Sequence, residues 1–359
     1  MYYIDDILKN DFETVAILKA LGQAHRYLGE LKGLCQSMPN PAILIDSLSL
    51  QEARDSSEIE NIITTQDEIY KYRLQPNLIN AAAKEVENYV NSLRFFQEEL
   101  KENNLITVRT ITSAQKIIKG NDAGVRVQTG TVLKNEDTQK VVYTPPEPAE
   151  LSGLLSDLEQ FINTEDEMDP LIKMAIIHHQ FESIHPFYDG NGRIGRIINI
   201  IYLMQQKLLD MPVLYLSRYI NHNKDDYYRL LQDVREGGAW QDWVIFMLNG
   251  VARTAKNSLT LVNDIKKLQQ EYKENIRNKL PKLYSQELIN NLFKHPYTKI
   301  SFLQEDLNVS RVTAARYLGE LTQEGLLIKH KLGRDNYYLN HQLIDLLSHI
   351  ENMKEKSAL

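Results

Sequence analysis

The segment from Ile194 to Leu203 constrains this chain more than any other. Ile194, Ile197, Ile198, Ile201 and Leu203 make it apolar on most sides. A helix without a polar face must be enclosed by protein, so this segment predicts a central, buried element. A second strongly apolar helix ends near Glu182, and a loop joins the two. His185 to Arg196 reads His-Pro-Phe-Tyr-Asp-Gly-Asn-Gly-Arg-Ile-Gly-Arg, which places one titratable base, one carboxylate, two arginines and two glycines around an asparagine.

Those residue types suit a triphosphate. Gly190-Asn191-Gly192 turns the backbone sharply and brings bare amides to the start of the next helix, where the amides and the helix dipole attract an anion. Arg193 and Arg196 lie three apart and project from one helix face, where guanidiniums grip phosphate oxygens bidentately. Asp189 is placed to hold Mg²⁺ against the same phosphates. His185, at the loop entrance, could take a proton from an incoming hydroxyl while neutral. Phe187 reads as an anchor in the core. Singly, His185 before Pro186 is a helix-ending residue, Asp189-Gly190 a turn and the arginines a solvated face. Only their conjunction reads as a site.

The spacing resembles the signature HPFxDGNGRxxR of the Fic family, most members of which transfer AMP from ATP to protein hydroxyls. Nine positions are specified, so a chance match is on the order of 10⁻⁹ per chain. The resemblance implies a mainly α fold: a Fic helical core with a small β-hairpin flap, here followed by a C-terminal winged helix-turn-helix domain. It also implies that Gly190, Asn191, Gly192, Arg193 and Arg196 bind ATP, that Asp189 holds Mg²⁺ and that His185 is the catalytic base. Ser56-Ser57-Glu58-Ile59-Glu60-Asn61 matches the motif [S/T]xxxE[G/N] of self-inhibiting Fic proteins. Ser56 and Glu60 share a helix face, with Ile59, Ile62 and Ile63 on the apolar side. By resemblance Glu60 pairs with Arg196, the arginine expected at the γ-phosphate; the bland alternative is a surface helix with routine acids.

Residues 125–143 alternate around a polar turn and read as a β-hairpin closed by Pro145-Pro146. The placement resembles the Fic flap, with Thr131, Val132 and Leu133 as the edge that pairs with a target protein by strand addition. The family places its adenine pocket against the helix after the motif, which makes Tyr227, Tyr228 and Trp243 candidates to contact the base. Trp240 and Tyr219 read as core. Thr65 and Glu68 look like a capping box.

The expected organisation is a helical region over 1–109 with the inhibitory helix at about 50–63, the Fic core over 110–250, a helical connector over 251–282, a winged helix over 283–345 and a tail over 346–359. In the winged helix, Ile300–Leu307 and Ser310–Glu324 form the helix-turn-helix with Ser310 as N-cap. Leu326–His330 and Tyr337–Asn340 pair around Gly333-Arg334-Asp335. Ser310, Arg311, Thr313 and Arg316 would face the groove if DNA bound. Residues 283–340 hold seven Lys/Arg against six Asp/Glu, less basic than a DNA footprint, which favours protein contact or architecture.

The net charge of −7 over 359 residues argues against a nucleic-acid-coating or membrane-surface protein. The lone Cys35 forms no internal disulfide and suits a reducing cytoplasm. No signal peptide, membrane span, phosphate-binding lysine loop or zinc cluster is visible. The expected function is a self-inhibited, Mg²⁺-dependent protein adenylyltransferase acting on a Ser, Thr or Tyr hydroxyl of a target protein or of itself, with no membrane partner; a homodimer is left open. The alternatives are a Fic enzyme that uses another donor or removes AMP, and a winged-helix regulator with a nucleotide-sensing Fic domain.

Overall fold

A computed structural model describes residues 3–38, 40–74, 80–134, 138–332 and 335–352. In chain order the helices are α1 (Ile4–Ile7), α2 (Val15–Gln36), α3 (Ala42–Ile59), α4 (Gln66–Leu74), α5 (Ala81–Asn103) and α6 (Val108–Lys119). The short strands β1 (Leu133–Lys134) and β2 (Val141–Tyr143) follow, then α7 (Pro148–Asn163), α8 (Pro170–Ile184), α9 (Asn191–Gln205), α10 (Leu216–His222), α11 (Lys224–Gly237) and α12 (Trp240–Lys279). The chain ends with α13 (Gln286–Lys294), β3 (Tyr297–Thr298), α14 (Ile300–Leu307), α15 (Arg311–Gln323), β4 (Ile328–Leu332), β5 (Asp335–Leu339) and α16 (His341–Asn352). It divides into two compact units, Met1–Lys32 with Leu48–Ala255, and Gly33–Ser47 with Lys256–Leu359.

The first unit is built around α8 and α9. Every side chain from Leu171 to Ile184 is buried, including Lys173, His178, His179 and Glu182. The two helices meet at Gly195, where a Cβ would stand 2.7 Å from Glu182 Oε1 and 3.3 Å from Phe181; only glycine permits so close an approach. Local signals fix the helix starts. Asn80, Thr107 and Asp169 each cap a first turn through a side-chain oxygen, and Pro148 and Pro170 occupy first-turn positions. Thr65 and Glu68 form the expected capping box, with Thr65 N 2.8 Å from Glu68 Oε2 and Glu68 N 3.2 Å from Thr65 Oγ1.

Four expected boundaries are corrected. The helix expected to be inhibitory runs over Ala42–Ile59 instead of about 50–63, because Asn61 turns left-handed at φ 59° and stops it. Ile63 is consequently exposed, and only Ile59 of the three isoleucines is buried. The hairpin is shorter than 125–143: Leu133 pairs with Tyr143 and Lys134 with Val141, so of the expected edge only Leu133 lies in a strand. Gly130 at φ 80° breaks the upstream arm, and Val125 bridges Phe187 in the motif loop instead. The connector is no separate segment, since α12 is one helix of 40 residues, about 60 Å long. Finally, residues 346–352 continue α16 and are no tail; positions 353–359 lie outside the described residues, as do Gly333 and Arg334 of the expected wing and 135–137 of the hairpin.

The second unit follows the expected order of helix, turn, helix and hairpin. Asn308 turns at φ 51° to end α14, and Ser310 Oγ accepts from Thr313 N to start α15. The sheet order is β3-β5-β4, antiparallel throughout. Inside it, Tyr272 OH lies 2.8 Å from the Leu326 carbonyl and 2.9 Å from Asn340 Oδ1. Arg311 and Arg316 are exposed, whereas the hydroxyls of Ser310 and Thr313 meet each other at 2.9 Å.

Candidate active site

The loop between α8 and α9 is held by its own side chains. His185 ends α8 in the left-handed conformation at φ 48°, which costs a non-glycine residue roughly 1–2 kcal/mol and needs outside support. Phe187 is buried. Asn191 bonds twice to its backbone, accepting from Phe187 N at 2.9 Å and donating to Phe187 O at 2.8 Å. The Asn191 side chain therefore closes the loop and is turned away from the phosphate-contact role expected of it. Gly190, at φ 87°, caps α9, and the stem of Lys119 lies 3.7 Å from where its Cβ would be.

Both arginines point inward and are already paired. Arg196 is buried and donates from Nε to Ser56 Oγ at 2.8 Å, and from Nη2 to the Ser56 carbonyl at 2.9 Å and Glu60 Oε1 at 2.7 Å. Burial opposes its charge, but the Glu60 carboxylate more than compensates and holds its pKa above the ordinary value. A Cβ on Gly192 would fall 2.3 Å from Glu60 Oε1. The Glu60 carboxylate thus lies against the first turn of α9, on the expected anion site itself. Arg193 bonds through Nη1 to Glu85 on α5, and through Nη2 to Asp189 at 3.2 Å. Asp189 also meets Lys119 Nζ at 2.6 Å. Partial burial works against its ionisation, yet the bond and charge of Lys119 and the charge of Arg193 hold its carboxyl below the usual range.

His185 is half-buried, with Nδ1 enclosed and without a hydrogen-bond partner. Burial, and then the charges of Arg235 and Arg126, depress its pKa to about 4, so the ring is neutral at pH 7 and keeps a lone pair. His178 and His179 are depressed further, to about 3, chiefly by burial. Asn199 Nδ2 lies 3.1 Å from His178 Nδ1, and His178 Nε2 is 2.9 Å from Tyr227 OH.

The flanking sequence carries two family resemblances. A model of the Fic/DOC family N-terminal region matches residues 18–96, and a model described as the C-terminal domain of SoFic-like protein adenylyltransferase matches 268–343. These lie on either side of the loop. On both sides of the loop the chain is similar to Fic proteins. A probable protein adenylyltransferase of Aquifex aeolicus is 27% identical over 198 residues, covering 54% of this chain and 57% of that protein. The protein adenylyltransferase Fic of Culex quinquefasciatus is 28% identical over 43% of this chain and 29% of its own length. The matched region thus spans well under two thirds of these relatives. Among solved structures, a Fic family protein from Desulfovibrio desulfuricans superposes with a TM-score of 0.59 at 19% identity, covering 91% of this chain and 96% of that one. Fic-1 from C. elegans gives 0.55 at 20% identity over 70% and 74%. The mainly helical fold with small antiparallel sheets is that of a Fic protein.

Within this Fic core, the aromatic candidates separate. Trp243 is fully buried, donates from Nε1 to the Ala175 carbonyl at 2.8 Å and stacks on His178 with 6.0 Å between centroids. Tyr227 is buried beside it. Both belong to the core, like Trp240, and neither offers a face to a base. Tyr228 is 46% exposed and is the remaining candidate. The sequence reading missed Glu85, Lys119, Arg126 and Arg235, which come from separate segments without a local motif. It also missed Glu52, although the spacing Glu52–Ser56–Glu60 along one face of α3 and its continuation was legible. Glu52 accepts from Tyr89 OH at 3.1 Å and from Ser217 N at 3.1 Å, tying α3 to α5 and α10.

The buried ionisable groups fix the acid behaviour of the fold. Burial pushes the Glu52 and Glu182 carboxyls up to about 7, so unfolding releases their protons above an unfolded value of 4.5. His178, His179 and His185, whose values fall to about 3 or 4, take up protons on unfolding below 6.5. Between pH 4.5 and 6.5 the histidines outnumber the carboxyls by one, and unfolding gains about one proton from this set. Below 4.5 the histidines act alone, each weakening the fold by up to ~1.4 kcal/mol per pH unit. Tm is expected to fall slowly from pH 6.5 to 4.5 and steeply below. A Tm that holds or rises on acidification to pH 4 in a calorimetric series would contradict these buried states.

Proposed function

We propose that this chain is a self-inhibited protein adenylyltransferase, which moves AMP from ATP to a Ser, Thr or Tyr hydroxyl of a target protein or of itself. The observation that carries the reading is the convergence of a neutral His185, the first turn of α9 and two arginines, with Glu60 seated 2.7 Å from Arg196. His185 takes the acceptor hydroxyl's proton as that oxygen attacks the α-phosphorus, and the bond from that phosphorus to the bridging oxygen breaks as pyrophosphate leaves. The α9 amides and the two guanidiniums hold the phosphates and neutralise charge on the leaving group. Glu60 silences the enzyme by occupying Arg196 and the anion site together. The exposed Tyr228 is the side chain offered to adenine. The strand-addition edge for a target is Leu133–Lys134, with the exposed Val141 and Val142 beside it. The second unit, with Arg311 and Arg316 outward, reads as a winged helix for protein contact.

Mg²⁺ fits this donor set. Asp189 is one carboxylate, 59% exposed and adjacent to the anion site, and Mg²⁺ is commonly held by one or two carboxylates, substrate phosphates and water. When bound, the ion would neutralise phosphate charge, and Lys119 would yield Asp189 to it. Asp189→Ala is expected to lower transfer at saturating ATP at least about tenfold, while metal-free nucleotide binding weakens less. Normal turnover of that variant at limiting Mg²⁺ would place the ligand elsewhere. The deciding test of the function is incubation with ATP labelled at the α-phosphate, with γ-labelled ATP as control. Covalent label from the α position alone requires AMP transfer, and no label in a Glu60→Gly variant supplied with candidate acceptors would overturn the reading.

A further inference from the structure

The C-terminal end of α8 is held in an unusual way. Five consecutive carbonyls, from Glu182 to Pro186, each accept a hydrogen bond from outside the helix. Arg235 Nη2 reaches Glu182 O at 3.2 Å, and Tyr143 OH reaches Ser183 O at 2.9 Å. Arg126 takes the next three: Nη2 to Ile184 O at 3.4 Å, Nε to His185 O at 2.9 Å, and its backbone N to Pro186 O at 2.9 Å. A helix end leaves about four carbonyls without partners, and cations are favoured there by the helix dipole. Here the cations are two, and both are fixed. Arg126 is buried and also donates to the Pro146 carbonyl. The Arg235 guanidinium lies 3.8 Å from the centroid of the Tyr143 ring and donates from Nε to Ser183 Oγ at 3.1 Å.

We infer that Arg126 and Arg235 are positioning residues for the imidazole of His185: their guanidiniums take the last carbonyls of α8, hold His185 in its left-handed conformation and keep positive charge against its ring. This rests on the proposed role of His185 as base. The charged and titratable groups facing the ring are Arg235 from α11, Arg126 from the segment after α6, Glu60 from the end of α3 and Glu182 one turn back on α8 itself. Burial and the two arginines depress the ring, while Glu60 and a backbone bond at Glu182 oppose them. Geometry and charge therefore come from the same two side chains. A lysine at 126 would keep the charge but could not span adjacent carbonyls with a planar fork. The same device joins the base to the flap, because Tyr143 lies in β2.

The test uses the full chain with isotopically labelled imidazoles, the His185 signal being assigned by its loss in His185→Ala. In the parent, His185 is expected to titrate well below 6.5. Arg126→Met and Arg235→Met are each expected to raise its midpoint by about one pH unit. In a Glu60→Gly background each is also expected to lower kcat by ~10-fold to ~100-fold, with KM for ATP changed little. Arg126→Lys is expected to leave the midpoint near the parent's yet still lower kcat, which separates position from charge. An unmoved midpoint in both methionine variants, or an unchanged kcat, overturns the inference. If Arg126→Met fails to fold by circular dichroism, Arg235→Met alone decides on the same criteria. If the parent transfers no AMP, the functional reading fails, while the titration still decides whether these arginines act on the ring.

Discussion

Replacing His185 by alanine is expected to lower α-label transfer at least ~100-fold, the low end for loss of a general base, with folding and ATP binding retained. The variant should fold because the ring makes no hydrogen bond through its enclosed Nδ1, and because the carbonyls around it are held by Arg126, Arg235 and Tyr143 whatever the side chain. No neighbour can take over. His178 and His179 are fully enclosed on α8, with their rings committed to Tyr227, Asn199 and the Leu231 carbonyl. The pH profile offers a second reading of the same residue. Only the neutral imidazole accepts a proton, so activity rises with pH through its pKa. With that pKa lowered to about 4, the acid limb should lie well below the 6.5 of an ordinary histidine. Transfer by His185→Ala within a few-fold of the parent, in a quantitative α-label assay, would sink the assignment.

What the sequence disclosed and what it hid follow from the range of the interactions. The two buried helices, the loop between them and the caps at Thr65 and Ser310 were legible, because periodicity and capping are written within a few residues. The pairing of Glu60 with Arg196 was legible only through the family motif, since 136 positions separate them. Glu85, Lys119, Arg126 and Arg235 had no such motif. Each looks like an ordinary surface charge until the fold brings it to the loop. The aromatic candidates failed for a different reason: Tyr227 and Trp243 are large apolar bodies on helices next to α8, and burial claims such residues before a ligand does. The division of the chain was hidden by continuity. Residues 33–47 group with the C-terminal unit although 33–36 belong to α2 and 42–47 to α3, so both boundaries fall inside helices.

Glu60→Gly is expected to raise self-labelling ~10-fold or more, because it frees two things at once. It releases Arg196 Nη2, now bonded at 2.7 Å, and it clears the first turn of α9, where a Cβ on Gly192 would stand 2.3 Å from the Glu60 carboxylate. With an internal anion there, a phosphate meets both repulsion and a missing donor, and a nucleotide that still binds is turned away from in-line attack. A displacement of about 1 Å can cost on the order of 100-fold in rate, so a small misplacement suffices. Glu60→Gly takes the carboxylate from the buried Arg196, a change that costs about 3–5 kcal/mol in general and is offset in part because Arg196 keeps both bonds to Ser56; circular dichroism checks that the variant is folded. Glu58→Gly is the control: Glu58 is exposed and should change little. Arg196→Ala in the Glu60→Gly background should return labelling to the parent level or below, because the freed guanidinium is what the activation uses. If Glu60→Gly labels no faster than the parent across a range of ATP and Mg²⁺ concentrations, the contact is structural and inhibition lies elsewhere. If it labels faster but Arg196→Ala does not reverse the gain, clearing the α9 amides alone accounts for activation, and Arg196 serves only to hold α3 through Ser56.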